Sequence, residues 1–125
     1  MTSINEKFLF EYFLGLLGQI KVFHWATSSY SKHKALDDLH SSLSNDIDEL
    51  MEVYIGKFER QPLENFNISM NATSNTNNII DYLQEQREFI RGIRNKNFKN
   101  YSEIQTILDN ILSSISRTIY LSKLE

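Results

Sequence analysis

The chain contains no cysteine among its 125 residues. Disulfide bonds, thiolate metal sites and cysteine nucleophiles are therefore all excluded. No apolar run approaches the roughly 20 residues that a membrane-spanning helix needs, so we expect no membrane association. Lysine and arginine together number 13, against 16 acidic residues, and they do not gather into one block. Because binding of nucleic acid depends on neutralising phosphates, we expect no nucleic-acid partner either.

The N-terminal segment from Phe8 to Leu17 is apolar enough to resemble the core of a signal peptide. However, Glu6 and Glu11 stand where positive residues are expected, and no small-residue cleavage site follows before Lys21. We interpret the segment as a core helix and expect a cytoplasmic protein.

Four segments carry apolar residues at intervals of three and four, the spacing of helices that bury one face. They cover about residues 4–26, 32–58, 76–95 and 102–122. Capping boxes from Ser3 to Glu6 and from Ser102 to Gln105 are expected to start the first and the fourth helix. The sequence therefore predicts an all-α protein, a single four-helix bundle over residues 1–125.

A polar stretch from Pro62 to Asn75 separates the second helix from the third. It is rich in asparagine, serine and threonine, which predicts a mobile surface loop that would serve as a crossover connection of the bundle. Gly15 and Gly18 weaken the first helix locally and predict the close approach of a neighbouring helix.

The residues with metal-binding chemistry lie on the second helix and just before it, where all three histidines of the chain occur. At about 100° per residue, four side chains share one face of that helix: His33, Asp37, Asp48 and Glu52. His24, at the end of the first helix, is expected to reach over as a fifth ligand. Imidazole combined with carboxylate oxygen suits iron, manganese or zinc.

The axial distance between these ligands predicts an oligomer. A rise of about 1.5 Å per residue puts the His33/Asp37 pair about 22 Å from the second pair of ligands. Metal ligands must lie within about 2.0 to 2.6 Å of the ion, so one helix cannot bring both pairs to one metal. Two copies of the helix can, if they pack antiparallel across a two-fold axis near Ser42. The sequence thus predicts a homodimer with two equivalent metal sites.

Other interpretations of the same residues stay open at this point. A helix with several acids often presents them to solvent, so the pattern alone is also that of a solvated face. His40 lies close to His33 on the helical wheel and is a ligand, a partner of a ligand or neither. Trp25 is the other candidate partner of a ligand, although a tryptophan here is more typical of core or dimer packing than of chemistry. Beyond the metal ligands, no catalytic residue and no site for an organic cofactor is predicted.

The ligand pattern resembles the ferroxidase signature of the Dps-like miniferritins. The matching motifs are His24-Trp25, then His33-x-x-x-Asp37, then Asp48-x-x-x-Glu52. The resemblance implies a ferritin-like bundle that dimerises through antiparallel second helices. It further implies binding of Fe(II) and its oxidation by peroxide or oxygen at a site shared between two subunits. In that family, such dimers often build a higher oligomer, a shell that stores ferric mineral.

The stretch from His24 to Ala35 is also similar to a group of short uncharacterised proteins of phages and large DNA viruses. A viral origin would make the location the host cytoplasm or the virion. The alternative function is a non-enzymatic viral structural or host-interaction module, in which the polar cluster only sets the dimer register. A di-iron site within one chain is disfavoured, because no Glu-x-x-His occurs and the third and fourth helices contain no histidine.

Overall fold

The computed structural model describes residues 4–73 and 75–124. Within these ranges the chain forms four α-helices and no strand, which confirms the predicted all-α class. The helices are α1 (Glu6–Ala26), α2 (Tyr30–Lys57), α3 (Thr76–Gly92) and α4 (Ser102–Ser122). A π-helical turn, Ile93–Asn97, continues α3. The predicted bounds of α4 agree with the structure, and those of α1 and α2 differ by one or two residues.

The helix starts are fixed by different groups from those predicted. Ser3 lies outside the described residues, and the N-cap of α1 is Asn5, whose side chain accepts a hydrogen bond from the backbone N–H of Phe8. At the predicted second capping box, the Gln105 amide donates to carbonyl oxygens before the helix, such as that of Lys99, at 3.3 Å. The second box is therefore wrong, because that side chain is bound to the connection between α3 and α4.

The helices pack in the spatial order α1, α2, α4, α3. Aromatic side chains fill the seam between α1 and α3. Tyr12 lies beside Phe89 with ring centroids 4.8 Å apart, and Phe23 lies edge-on to Tyr82 at 5.3 Å. These pairs make α3 antiparallel to α1, so one long crossover must join α2 to α3. A single crossover of this kind is the connectivity of ferritin-like bundles.

The core is one apolar cluster with contributions from all four helices. On α2 and α4 the buried apolar residues recur at the predicted intervals of three and four: Leu36, Leu39, Leu43, Ile47, Leu50, Tyr54, Ile104, Ile107, Leu108, Ile111, Leu112, Ile115 and Ile119. In α1 the prediction is wrong for Leu14, which is 49% exposed. Across residues 4–73 and 75–124, no helix combines the length and apolar character that crossing a bilayer requires.

The crossover, residues 58–73, lies on the surface as predicted, but it packs along α1. At its start, Arg60 forms an ion pair of 3.1 Å with Glu6, a carboxylate that is only 2% exposed. Near its end, the buried Gln19 side chain exchanges two hydrogen bonds with the backbone of Asn71, at 2.6 and 2.7 Å. These bonds satisfy buried polar groups at both ends of the crossover and fix its course over the helix.

The two glycines of α1 lie under this crossover. A Cβ atom at Gly18 would stand 3.2 Å from Cε of Met70, and one at Gly15 would stand 3.4 Å from Cγ2 of Ile68. The predicted close approach is therefore present, but the neighbour is the crossover and not a helix.

Replacing Gly56 by alanine is expected to raise the free energy of unfolding by about 1 kcal/mol, the difference in helix propensity. Gly56 lies within α2, and a Cβ there would meet nothing within 4 Å. Gly18→Ala is expected to gain less, because its Cβ must displace Met70. Urea unfolding of both variants measures the difference. Equal stabilisation by the two substitutions would contradict the packing of the crossover on α1.

Candidate metal centre

The end of α1 and the start of α2 meet at the short turn of residues 27–29. The Ser29 side chain caps α2 and accepts a hydrogen bond from the backbone N–H of Lys32. This turn brings His24 and His33 face to face. Their rings stack with centroids 3.8 Å apart and an interplanar angle of 22°.

Each of the two imidazoles is hydrogen-bonded to the backbone carbonyl group of the other histidine. Nδ1 of His24 lies 2.8 Å from the carbonyl oxygen of His33, and Nδ1 of His33 lies 2.9 Å from the carbonyl oxygen of His24. Because a carbonyl oxygen only accepts, each Nδ1 carries the hydrogen and donates it. In the neutral form, each ring therefore keeps the lone pair on Nε2, the atom through which such a histidine binds a metal.

Asp37 stands next to this pair, one helical turn after His33. Its Oδ1 lies 3.9 Å from Nε2 of His24. The His24 side chain is 9% exposed and the Asp37 side chain 54%. The imidazole therefore lies on the buried side of the group and the carboxylate on its solvent-exposed side. The structure thus places the His24 imidazole next to both His33 and Asp37, two of the other predicted ligands.

Lys21 is a member of this group that the sequence interpretation missed. Its Nζ lies 3.8 Å from Oδ1 of Asp37, the same oxygen that faces His24. The available signal was its position three residues before His24, which puts both side chains on one face of α1. The Asp37 carboxylate is therefore shared by an imidazole and an ammonium group.

His40 and Trp25 flank the group in different ways. Partial burial, followed by the charge of Lys21, lowers the pKa of His40 below its usual range, so this imidazole lies within electrostatic reach of the centre. Trp25 is 71% exposed, and the Lys21 ammonium lies 6.0 Å from its ring centroid. A core role for Trp25 is thereby ruled out, and dimer packing stays a prediction.

Asp48 and Glu52 lie farther along α2, which is helical without interruption from Tyr30 to Lys57. Both are exposed. Over residues 4–73 and 75–124 of one chain, no group of three or more histidine, aspartate or glutamate side chains has an arrangement that could hold a metal ion. The structure does not bring the second pair of ligands to the first within one copy.

An apolar stripe on α1 runs beside the candidate centre. Leu14 is 49% exposed and Trp25 is 71% exposed, while Phe10 and Leu17 are half-buried. The spacing of four, three and eight residues places all four on one side of the helix. Lys21 lies in the same row and reaches Asp37, so the stripe borders the centre.

Comparison with known proteins gives two matches. The model of a family described as a family of unknown function, DUF5856, matches residues 24–121, a range that contains all five predicted ligands. An uncharacterised 14.6 kDa protein from the mobD–ri intergenic region of Enterobacteria phage T4 is 29% identical over 121 residues, which cover 90% of this chain and 87% of that protein. No solved structure matches the chain.

Proposed function

The chain belongs to DUF5856, a family of unknown function, and from its candidate centre we propose that it is a Dps-like iron-binding protein. It takes Fe(II) as substrate and oxidises it with peroxide or oxygen at a centre shared between two subunits. His24, His33 and Asp37 of one chain and Asp48 and Glu52 of the second chain supply the ligands.

The reciprocal bonds between His24 and His33 are the observation that carries this proposal. A metal-binding histidine typically donates its other ring N–H to a carbonyl or carboxylate, which fixes the tautomer and the ring orientation. Here both Nδ1 atoms are held in this way, at 2.8 and 2.9 Å. His33 is exposed, so its bond to the His24 carbonyl is not needed to satisfy a buried group.

The second copy follows from distance and exposure. In a continuous α2, the two pairs of ligands lie about 22 Å apart. A partner that packs antiparallel on this face brings Asp48 and Glu52 of one chain to the other chain's histidines. The same packing would cover the exposed Leu14 and Trp25 of the apolar stripe. Apolar side chains uncovered in one chain are typical of an association surface.

The ligand set also suits the chemistry. The imidazole nitrogens bind ferrous iron well, and the carboxylates add anionic charge that compensates the higher charge of ferric iron. Oxidation moves electrons from Fe(II) to peroxide or oxygen. The protein's own contribution is to hold the ligands in place and to offer the iron a partly buried position beside His24.

Iron binding tests the proposal directly. The Asp48→Ala/Glu52→Ala variant is expected to lose iron affinity by more than about 100-fold, since two ligands disappear. The matched control, Asp46→Ala/Glu49→Ala, removes two acids of the same helix that are not predicted ligands and should keep iron binding. Bound iron and Fe(II) oxidation rates after aerobic loading are the measurements.

Two results would contradict the proposal. Equally low iron in the wild type and in Asp48→Ala/Glu52→Ala would leave the polar cluster with a role in dimer register only, as in a non-enzymatic viral module. A mass of one chain by light scattering would exclude the shared centre, whereas a mass near two chains or a multiple of two supports it.

A further inference from the structure

A second polar site lies on the opposite side of the bundle, in the seam between α3 and α4. Arg87, Arg91 and Arg94 follow one another at intervals of four and three residues, so they share one face of α3 and its π-helical continuation. Like charges at this spacing repel one another. Their alignment therefore requires compensation from neighbouring groups.

The facing helix compensates only part of this charge. Arg94 binds both carboxylate oxygens of Asp109, at 2.5 and 3.1 Å, and this bond raises the pKa of Arg94. Farther along α4 the residues that face the arginines carry hydroxyls. Arg87 donates through Nη1 to Oγ of Ser116 at 3.2 Å. One arginine of the three is thus matched by a carboxylate across the seam.

A single carboxylate of α3 serves the other two arginines. Oε1 of Glu88 accepts a hydrogen bond of 2.5 Å from Nη1 of Arg91. The same oxygen lies 3.9 Å from Nε of Arg87, which is too far for a hydrogen bond. Among the described residues, this buried Nε has no hydrogen-bond partner. A buried N–H without an acceptor is costly, so one acceptor is missing from the seam.

An open groove of about 420 Å³ adjoins these groups. Arg91, Arg94, Asn95, Asp109, Ser113 and Ser116 line it. The oxygens of Asp109 are engaged by Arg94, and the side-chain oxygen of Asn95 also accepts from Arg94, at 3.0 Å. What the groove still offers are donors: the outer guanidinium nitrogens of Arg91, the Asn95 amide N–H and the serine hydroxyls.

We propose that this groove binds phosphate, either the free ion or the phosphoryl group of a monoester. The oxyanion accepts hydrogen bonds from Arg91, Asn95 and Ser113, a donor set that suits several oxygens on one centre. By engaging Arg91 it releases Glu88, whose Oε1 then closes the 3.9 Å gap to Nε of Arg87. One binding event supplies acceptors to both incompletely matched arginines. The iron centre takes no part in this, so the two proposals stand or fall separately.

NMR signals of the arginine Nε–H groups in the full chain report on phosphate binding at Arg91 and on the movement of Glu88 to Arg87. Inorganic phosphate is added in exchange for chloride, so that the ionic strength stays constant. The Arg91 and Arg87 signals are then expected to shift together and to saturate at the same phosphate concentration. Arg91→Gln should weaken phosphate binding by at least about tenfold. The matched control is Arg117→Gln, an exposed arginine of α4 that lies on the side of α2 and should leave the affinity unchanged.

Glu88→Ala separates the phosphate site from a general basic patch. Without the competing carboxylate, phosphate should bind more tightly, while the response of Arg87 disappears because residue 88 no longer has a side-chain oxygen. Equal shifts with chloride alone, or unchanged phosphate affinity in Arg91→Gln, would overturn the proposal. Saturation by glycerol phosphate as well as by inorganic phosphate would assign the groove to monoesters, and saturation by inorganic phosphate alone would assign it to the free ion.

Discussion

Two inactive variants of this chain are expected to restore iron binding when they are combined in one dimer. The first variant, His33→Gln/Asp37→Asn, lacks one pair of ligands, and the second, Asp48→Asn/Glu52→Gln, lacks the other. In a mixed dimer one shared centre receives both intact pairs of ligands, while the other centre keeps only His24. Random association makes half of the dimers mixed, so refolding equal amounts together should recover about one quarter of the wild-type centres.

Iron bound per chain and the rate of Fe(II) oxidation, measured before and after joint refolding, quantify this recovery. The matched control combines His33→Gln with Asp37→Asn, two single variants altered at the same end of α2. Their mixed dimers carry one damaged ligand in each centre and should not recover. If the opposite-end variants form mixed dimers by mass and still bind no iron, the centre is not shared across this interface.

The buried face of α2 was predictable from the sequence because helical periodicity depends only on residues within the same helix. Leu36, Leu43 and Leu50 fix which side of the helix is buried, and the positions of His33 and Glu52 on the other sides follow from the angle per residue. The same reasoning cannot say what another element brings to that face. The stacking of His24 on His33 depends on the three-residue turn between α1 and α2.

Leu14 shows that helical periodicity can also predict burial that a single chain does not provide. It repeats with the apolar residues of α1, yet it is 49% exposed. An apolar side chain in such a repeat is buried by its own chain, covered by another chain, or left exposed as a single residue of the surface. Sequence alone does not distinguish these cases, so periodicity predicts a buried Leu14 in all of them.

The course of the crossover was not predictable, because backbone groups hold it. Gln19 pairs with the N–H and carbonyl of Asn71, groups that every residue carries except proline, which lacks the N–H. The polar composition of this segment correctly predicted a surface position, but it contains no signal for the partner. The close fit to Gly18 was visible only as a glycine within a helix, a residue that weakens the helix unless packing requires it.

Replacing Lys21 by glutamine is expected to tighten the binding of a divalent metal by about tenfold. The Lys21 ammonium lies 3.8 Å from Oδ1 of Asp37, and the same oxygen faces Nε2 of His24 at 3.9 Å. A metal ion bound between these two ligands would stand within about 6 Å of a positive charge. Even with the screening of water, repulsion between charges of +2 and +1 at that distance costs about 1.4 kcal/mol. Titration with Co(II), followed by its visible absorption, measures the affinity without oxidation of the metal.

Two control variants separate charge from packing in this experiment. Lys21→Arg keeps the charge and should retain the wild-type affinity, whereas Lys34→Gln removes a lysine of α2 that pairs with Asp38 outside the centre and should change little. Weaker Co(II) binding in Lys21→Gln would mean that the lysine positions Asp37 for the metal and does not compete with it. Because the wild type must bind Co(II) in either case, a wild type that binds none would count against the iron centre itself. The effect should also shrink as salt is added, since Asp37 is half exposed and its interaction with Lys21 is screened.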